Sequence, residues 1–403
     1  MVLLDIAAIG LAAVGTVSLL QAALLLAEAL AAIGAGKSQE RLDGTHPVTR
    51  PRVAVLVPAH DEERLIADTL RGIVSQLGPQ DRLVVVADNC TDATAEVARA
   101  AGAEVVVRTD SARRGKSYAL DFGVRHLALD PFDVLIVIDA DCKLDPGSLE
   151  TMAFRAHESG RPVQARNESL LPTDRPVSLG QRVAMFAVRV KNHVRSQGLK
   201  RMGLPCQLMG TGMAFPWPAI RKVEIASGEL AEDLVLGLEL ARTGHAPSYC
   251  PAARVTSPFP LSAEGVKTQR ERWETGHLRT IARRIPGFLV EAIRSRNVAL
   301  LALAADAAVP PLALGALAIA ANIVLSGGMA LLTSLFVLPL VVSTLAATVF
   351  ALAIGLAWFQ VGRDILSARD LALMAPAYAL AKLPIYARAL RGKRIRWIRS
   401  PRD

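Results

Sequence analysis

The chain has 403 residues, of which 52% are hydrophobic and 21% charged, so an ordinary soluble domain must be joined to very apolar segments. A formal net charge of +9 points to an anionic membrane surface or a phosphate-bearing substrate, and 4% aromatics is too few to stack single-stranded nucleic acid, which is excluded as a partner. The composition also excludes disorder, and four widely spaced cysteines without a Cys-x-x-Cys exclude a disulfide scaffold and a zinc ribbon and read as reduced thiols.

Residues 6–27 carry no charge and are long enough to cross a bilayer. A secretory signal would have a basic n-region, whereas the only charge there is Asp5, so a retained anchor over residues 1–36 is expected. Short β-rich apolar runs follow at Val53–Val57, Leu83–Ala87, Glu104–Val107 and Val134–Ile138, and they read as buried parallel strands. Helical patterns separate them at Glu62–Leu77, Asp92–Ala101 and Ser117–Leu129. Strands alternating with helices predict a doubly wound α/β sheet, with ligands beyond the carboxyl ends of the strands. Residues 281–297 form an amphipathic connector.

No charged residue occurs from Ala307 to Gly362, and Ser326-Gly327-Gly328 reads as a tight turn between spans at roughly 298–325 and 329–357. Pro310-Pro311 should kink the first span. The segment 370–403 is expected to be an interfacial or re-entrant helix followed by a basic tail with Arg388, Arg391, Lys393, Arg394, Arg396, Arg399 and Arg402. Lys and Arg fill 37–297 and the tail, so the positive-inside rule places both in the cytoplasm. Three spans then put the N-terminus outside, in a multi-pass protein of the inner (plasma) membrane.

Three strand ends on one sheet edge carry polar residues: Pro58-Ala59-His60-Asp61-Glu62, Asp88-Asn89-Cys90-Thr91-Asp92 and Asp139-Ala140-Asp141. One such end is ordinary helix capping; three together are harder to explain that way. Asp139 and Asp141 can share a hard divalent cation, Mg²⁺ or Mn²⁺, although Asp-x-Asp alone is usually a solvated turn. Arg113-Arg114-Gly115-Lys116 precedes a helix; a solvated basic loop is the plain reading and a phosphate ligand the sharper one, held by Lys116. Glu232-Asp233 opens a helix ending near Gly244; the pair either complements the helix dipole or supplies a general base. Gln269, Arg272 and Trp273 share a helix face that suits a diphosphate and a sugar ring, or else a lipid surface. There is no Gly-x-Gly-x-x-Gly after the first strand and no Walker lysine motif, which disfavours a dehydrogenase and a P-loop ATPase.

Taken in order, the three strand ends, Glu232-Asp233 and Gln269-x-x-Arg272-Trp273 resemble the membrane-bound family 2 glycosyltransferases, the group of cellulose, chitin and hyaluronan synthases, over about residues 50–280 and the flanking membrane segments. The resemblance implies a cytoplasmic α/β domain of GT-A fold, flanked by transmembrane helices, that inverts a nucleotide sugar at its anomeric carbon, with a UDP-sugar the expected donor. It implies that His60, Glu62 and Asp88 touch base and ribose, that Asp139 contacts the nucleotide and Asp141 the metal, and that Asp233 is the general base beside Glu232. Gln269 and Arg272 would hold the diphosphate, Trp273 would floor the acceptor site, and Gly210-Thr211-Gly212 would shape it. The expected acceptor is a lipid-linked or growing glycan in cell-surface polysaccharide biosynthesis, with polysaccharide-export proteins as partners. The alternatives are a simple lipid acceptor, a nucleotidyltransferase and a non-catalytic nucleotide-sugar-binding scaffold. Two departures stand out: Ala231 replaces the Thr of the polymerases' Thr-Glu-Asp, and three spans are too few to enclose a private polysaccharide channel.

Overall fold

The computed structural model describes residues 2–34, 49–130, 132–172, 175–259 and 263–390. In chain order it holds α1 (Val2–Ala31), β1 (Val53–Ala59), α2 (Ile66–Val74), β2 (Arg82–Asp88), α3 (Thr94–Ala100), β3 (Glu104–Arg108), α4 (Lys116–Leu127), β4 (Val134–Val137), β5 (Lys143–Leu144), α5 (Ser148–Ser159) and β6 (Val163–Leu170). Then come α6 (Leu179–Arg189), a π-helical turn (Val190–Arg195), α7 (Ser196–Arg201), β7 (Met213–Pro216), α8 (Trp217–Ile220), α9 (Glu232–Arg242), β8 (Ser248–Pro258), α10 (Ala263–Arg283) and α11 (Ile285–Arg294). The last described elements are α12 (Val298–Ala307), α13 (Leu312–Ala330), a 3₁₀ turn (Ser334–Phe336), α14 (Val337–Val361), α15 (Ala368–Ala381) and α16 (Leu383–Leu390). Two compact units result: residues 37–174 with 204–304, and residues 1–36, 175–203 and 305–393.

The first unit is built on an eight-stranded sheet in the order β3-β2-β1-β4-β7-β6-β8-β5. The pairings β3-β2, β2-β1 and β1-β4 are parallel; β7 runs antiparallel to β4 and to β6, and β5 antiparallel to β8. The sheet is therefore mixed, not all parallel as the strand–helix alternation suggested. Val53, Val55 and Val57 face Ile66, Leu70, Ile73, Leu149 and Met152 on one side, while Ala54 and Leu56 face Leu120, Leu127, Leu236 and Leu240 on the other. Covering on both faces is why β1 is apolar at successive positions.

Among the described residues, the second unit contains three helices long and apolar enough to cross a membrane: α1, α13 and the stretch Ser334–Val361. α13 runs straight through Ser326-Gly327-Gly328, so the expected turn there is not one. An isolated apolar helix satisfies its own backbone, and the Ser326 hydroxyl donates to Asn322 Oδ1 rather than competing for it. The chain reverses instead at residues 331–336, where Thr333 caps the 3₁₀ turn. Pro310-Pro311 ends α12 and starts α13 anew, a break where a kink was expected, because prolines offer no amide donors. α15 and α16 have 14 and 8 residues, each shorter than the ~20 a span requires. Of the basic tail, the residues beyond 390 lie outside the described ones.

Residues 175–203, inside the stretch expected to be one cytoplasmic domain, belong to this apolar unit. Arginines fasten them there. Arg182 donates to Ile365 O, Arg189 to Val361 O and Asp364, and Arg201 to Ile33 O. These partners lie at or beyond the carboxyl ends of α14 and α1, where cations are favoured. Arg195 is buried between Glu28 (2.9 Å) and Asp306.

Candidate active site

The parallel half of the sheet delivers its polar strand ends to one edge. The β2–β3 register places Asp88 beside Arg108, and the two side chains form a buried ion pair at 2.6 Å. Burial raises the Asp88 carboxyl above its ordinary range, and Arg108 opposes that shift. Asn89 donates to Asp88 Oδ1 at 2.9 Å, and the His60 ring Nδ1 lies 2.7 Å from Asp88 O. The Glu62 amide donates to Thr94 Oγ1, which ties the end of β1 to the start of α3. Asp61 and Asn89 both have left-handed backbones (φ 54° and 51°), a conformation Asp and Asn tolerate better than most residues. His60, Glu62 and Asp88 thus sit at the adjoining ends of β1 and β2, as their motifs predicted.

A second group gathers around Lys116, the first residue of α4. Its ammonium pairs with Asp139 and donates to Gly210 O at 2.8 Å. Burial works against that charge, but Asp139, Glu232 and Asp233 outweigh it and hold the Lys116 pKa above its ordinary value. The Asp139 amide donates to Thr211 Oγ1 at 3.0 Å. Gly210 has φ +82°, and a Cβ there would lie 3.4 Å from Lys116 Nζ and 3.5 Å from Asp233 Oδ2. Glu232 and Asp233 begin α9. Burial and then the neighbouring Asp233 charge push Glu232 up to about 7, against Lys116 and Arg272. Ligand atoms of Asp139, Asp141 and Cys142 lie within 4.8 Å of one another. Burial and the two aspartates keep Cys142 a neutral thiol, which leaves a hard carboxylate pair suited to Mg²⁺ or Mn²⁺.

α10 carries Gln269, Arg272 and Trp273 and approaches the start of α9 closely. A Cβ on Gly276 would lie 3.0–3.2 Å from Leu230 and Ala231. Arg272 acts electrostatically on Glu232, whereas Trp273 is 46% exposed. Two residues of the site lie outside the motifs. Arg108 neutralises Asp88, and an opposite charge ending the adjacent strand was the available signal. Gln164 is buried in β6 and bonds the loop that carries Gly210 and Thr211; one amide in a strand that also carries Arg166, Asn167, Glu168 and Ser169 gave no local signal.

The model of the family described as "Glycosyltransferase like family 2" matches residues 51–276. "Probable glycosyltransferase YdaM" of Bacillus subtilis (strain 168) is 27% identical over 240 residues, 56% of this chain and 55% of that protein. The 4,4'-diaponeurosporenoate glycosyltransferase of Staphylococcus aureus (strain USA300) is 38% identical over 92 residues, 22% of this chain and 24% of that protein. The chain thus spans about half the length of the one and about a quarter of the other. Among solved structures, the mannosyltransferase PcManGT from Pyrobaculum calidifontis, in complex with GDP-Man and Mn²⁺, aligns with a TM-score of 0.53 at 18% identity, over 94% of this chain and 100% of that one. That likeness is one of fold, and the fold is GT-A.

Proposed function

The chain belongs to glycosyltransferase-like family 2, and on that premise we propose that it is an inverting glycosyltransferase that moves a sugar from a nucleotide sugar to a membrane-associated acceptor. The observation that carries this reading is the convergence of Lys116, Asp139, Gly210, Glu232 and Asp233 at the carboxyl end of the parallel strands. His60, Glu62 and Asp88 hold the nucleoside, with a UDP-sugar the expected donor. Lys116, Gln269 and Arg272 face its diphosphate. Asp233 accepts the acceptor hydroxyl's proton as that oxygen bonds to the anomeric carbon, and the bond from that carbon to the diphosphate breaks with its electron pair leaving on the nucleotide. Asp139 and Asp141 would hold a divalent cation, which would supply positive charge at the diphosphate. Trp273 and the Gly210-Thr211 loop receive the acceptor.

Residues 50–280, apart from the 175–203 excursion, form the cytoplasmic catalytic domain. The three spans anchor it in the inner membrane, with 281–297 a connector and 370–390 at the cytoplasmic face. The acceptor is a lipid-linked or growing glycan in surface polysaccharide synthesis. A second reading, a simple lipid acceptor, is favoured by the Staphylococcus aureus relative, which is named for a lipid-like acceptor. Extraction separates the two: membranes given labelled nucleotide sugars should yield a water-soluble or lipid-linked glycan under the first reading. A single-sugar glycolipid confined to the organic phase would establish the second.

A further inference from the structure

The loop of residues 209–212 carries no charge, yet it joins the separate parts of the site. Gly210 O receives Lys116, Thr211 Oγ1 receives the Asp139 amide, and the Gly210 Cα faces Asp233. Gly210 and Gly212 have φ of +82° and +65°, which a strand cannot continue through. Gly212 keeps backbone partners on both sides, its amide donating to Val137 O (3.0 Å) and its carbonyl accepting from the Ala165 amide (2.8 Å), whereas the Met209 amide and the Thr211 carbonyl are met by a side chain.

That side chain is Gln164 of β6. It is buried, with Nε2 donating to Thr211 O and to Ala165 O of its own strand (2.9 Å each) and lying 3.4 Å from Gly212 O, and with Oε1 accepting from the Met209 amide (2.8 Å). A glutamine amide has the donors and the acceptor of a peptide bond, so here one side chain does the work of an absent strand residue. We propose that Gln164 is a positioning residue for sugar transfer: it fixes the 209–212 loop and, through it, the register of Lys116 and Asp139 against Asp233, without touching either substrate. The catalytic half of this inference rests on the glycosyltransferase reading; the structural half does not. Methionine matches the volume but neither donates nor accepts strongly, and asparagine keeps the amide one methylene short.

The test uses the full chain in detergent or membranes. In Gln164→Met, hydrogen exchange at amides 209–212 should quicken by about tenfold or more, while β6, β7 and β8 keep their protection. Gln164→Asn should fall between Gln164→Met and wild type, and it remains informative if the methionine variant fails to fold. Turnover should drop by about 10²-fold, the loss expected of an ångström-scale misplacement, with the donor KM changed only a few-fold. Unchanged exchange at 209–212, protection lost across the whole sheet, or full turnover in a folded variant would each overturn the assignment. Wild type that turns over no nucleotide sugar would instead sink the functional reading, while the exchange data would still decide whether Gln164 holds the loop.

Discussion

Asp233 and Glu232 are adjacent in sequence and separate in chemistry. Asp233→Asn is nearly isosteric but accepts no proton, so turnover should fall by about 10²–10⁴-fold with donor affinity little changed, as steady-state kinetics and nucleotide binding would read it. Were the pair merely a helix-dipole partner, the substitution would cost only about 0.3–1 kcal/mol of stability and leave turnover intact. Glu232 makes a pH prediction. Its folded pKa, about 7, is raised above the ordinary 4.5, so its contribution to stability is full below pH 4.5 and is lost as pH rises through about 7. Thermal melts should show that loss in wild type, and Glu232→Gln should remove it. At this scale the sequence named the charged residues that the structure brings together, Lys116, Asp139, Glu232 and Asp233, although the plain reading of the Lys116 motif was a solvated loop. Arg108 left a signal in its charge at the end of the strand beside Asp88, whereas Gln164 left none, because its partner Met209 lies 45 residues along the chain.

Among the elements, strands and helices that bury a continuous apolar surface were legible and their interruptions were not. Ser326-Gly327-Gly328 looks like a turn by propensity, but small residues are tolerated in membrane helices, and α13 continues through them. The 175–203 excursion was invisible because its arginines look like any basic amphipathic stretch until Glu28, Asp306 and Asp364 are placed beside them. Arg195 gives the sharpest test. Arg195→Met leaves the Glu28 and Asp306 carboxylates buried without their cation, which should destabilise the protein by about 3–5 kcal/mol. Adding Glu28→Gln should recover part of that loss in a thermal melt; additive losses would mean that the arginine only fills space. The α10–α9 contact makes a second prediction. Gly276→Val forces a side chain against Leu230 and Ala231 and should lower turnover through Glu232 and Asp233 while the sheet stays folded, as circular dichroism would report.

For the whole molecule, the α/β class followed from alternation along the chain, whereas the mixed half of the sheet, with β7 antiparallel to β4 and β6 but β6 parallel to β8, did not. β7 reaches β4 only after the 175–203 excursion, and strand order across so long a gap leaves no periodic trace. Topology is testable by labelling intact cells with an impermeant thiol reagent. A cysteine at Leu332, in the 331–336 reversal, should react from outside, and one at Arg369 should react only after permeabilisation; the opposite pattern would invert the proposed orientation. The central claim is that this chain transfers sugar from a nucleotide sugar with the help of a divalent cation at Asp139 and Asp141. The most direct measurement supplies membranes containing wild type or Asp141→Asn with a panel of nucleotide sugars, with and without excess chelator, and follows released nucleotide together with product mass. The account predicts nucleotide release matched by a glycosylated product from one donor, abolished by chelator, restored by Mg²⁺ or Mn²⁺, and absent in the folded variant. Folded wild type that releases no nucleotide from any donor, or that works fully in excess chelator, would contradict it.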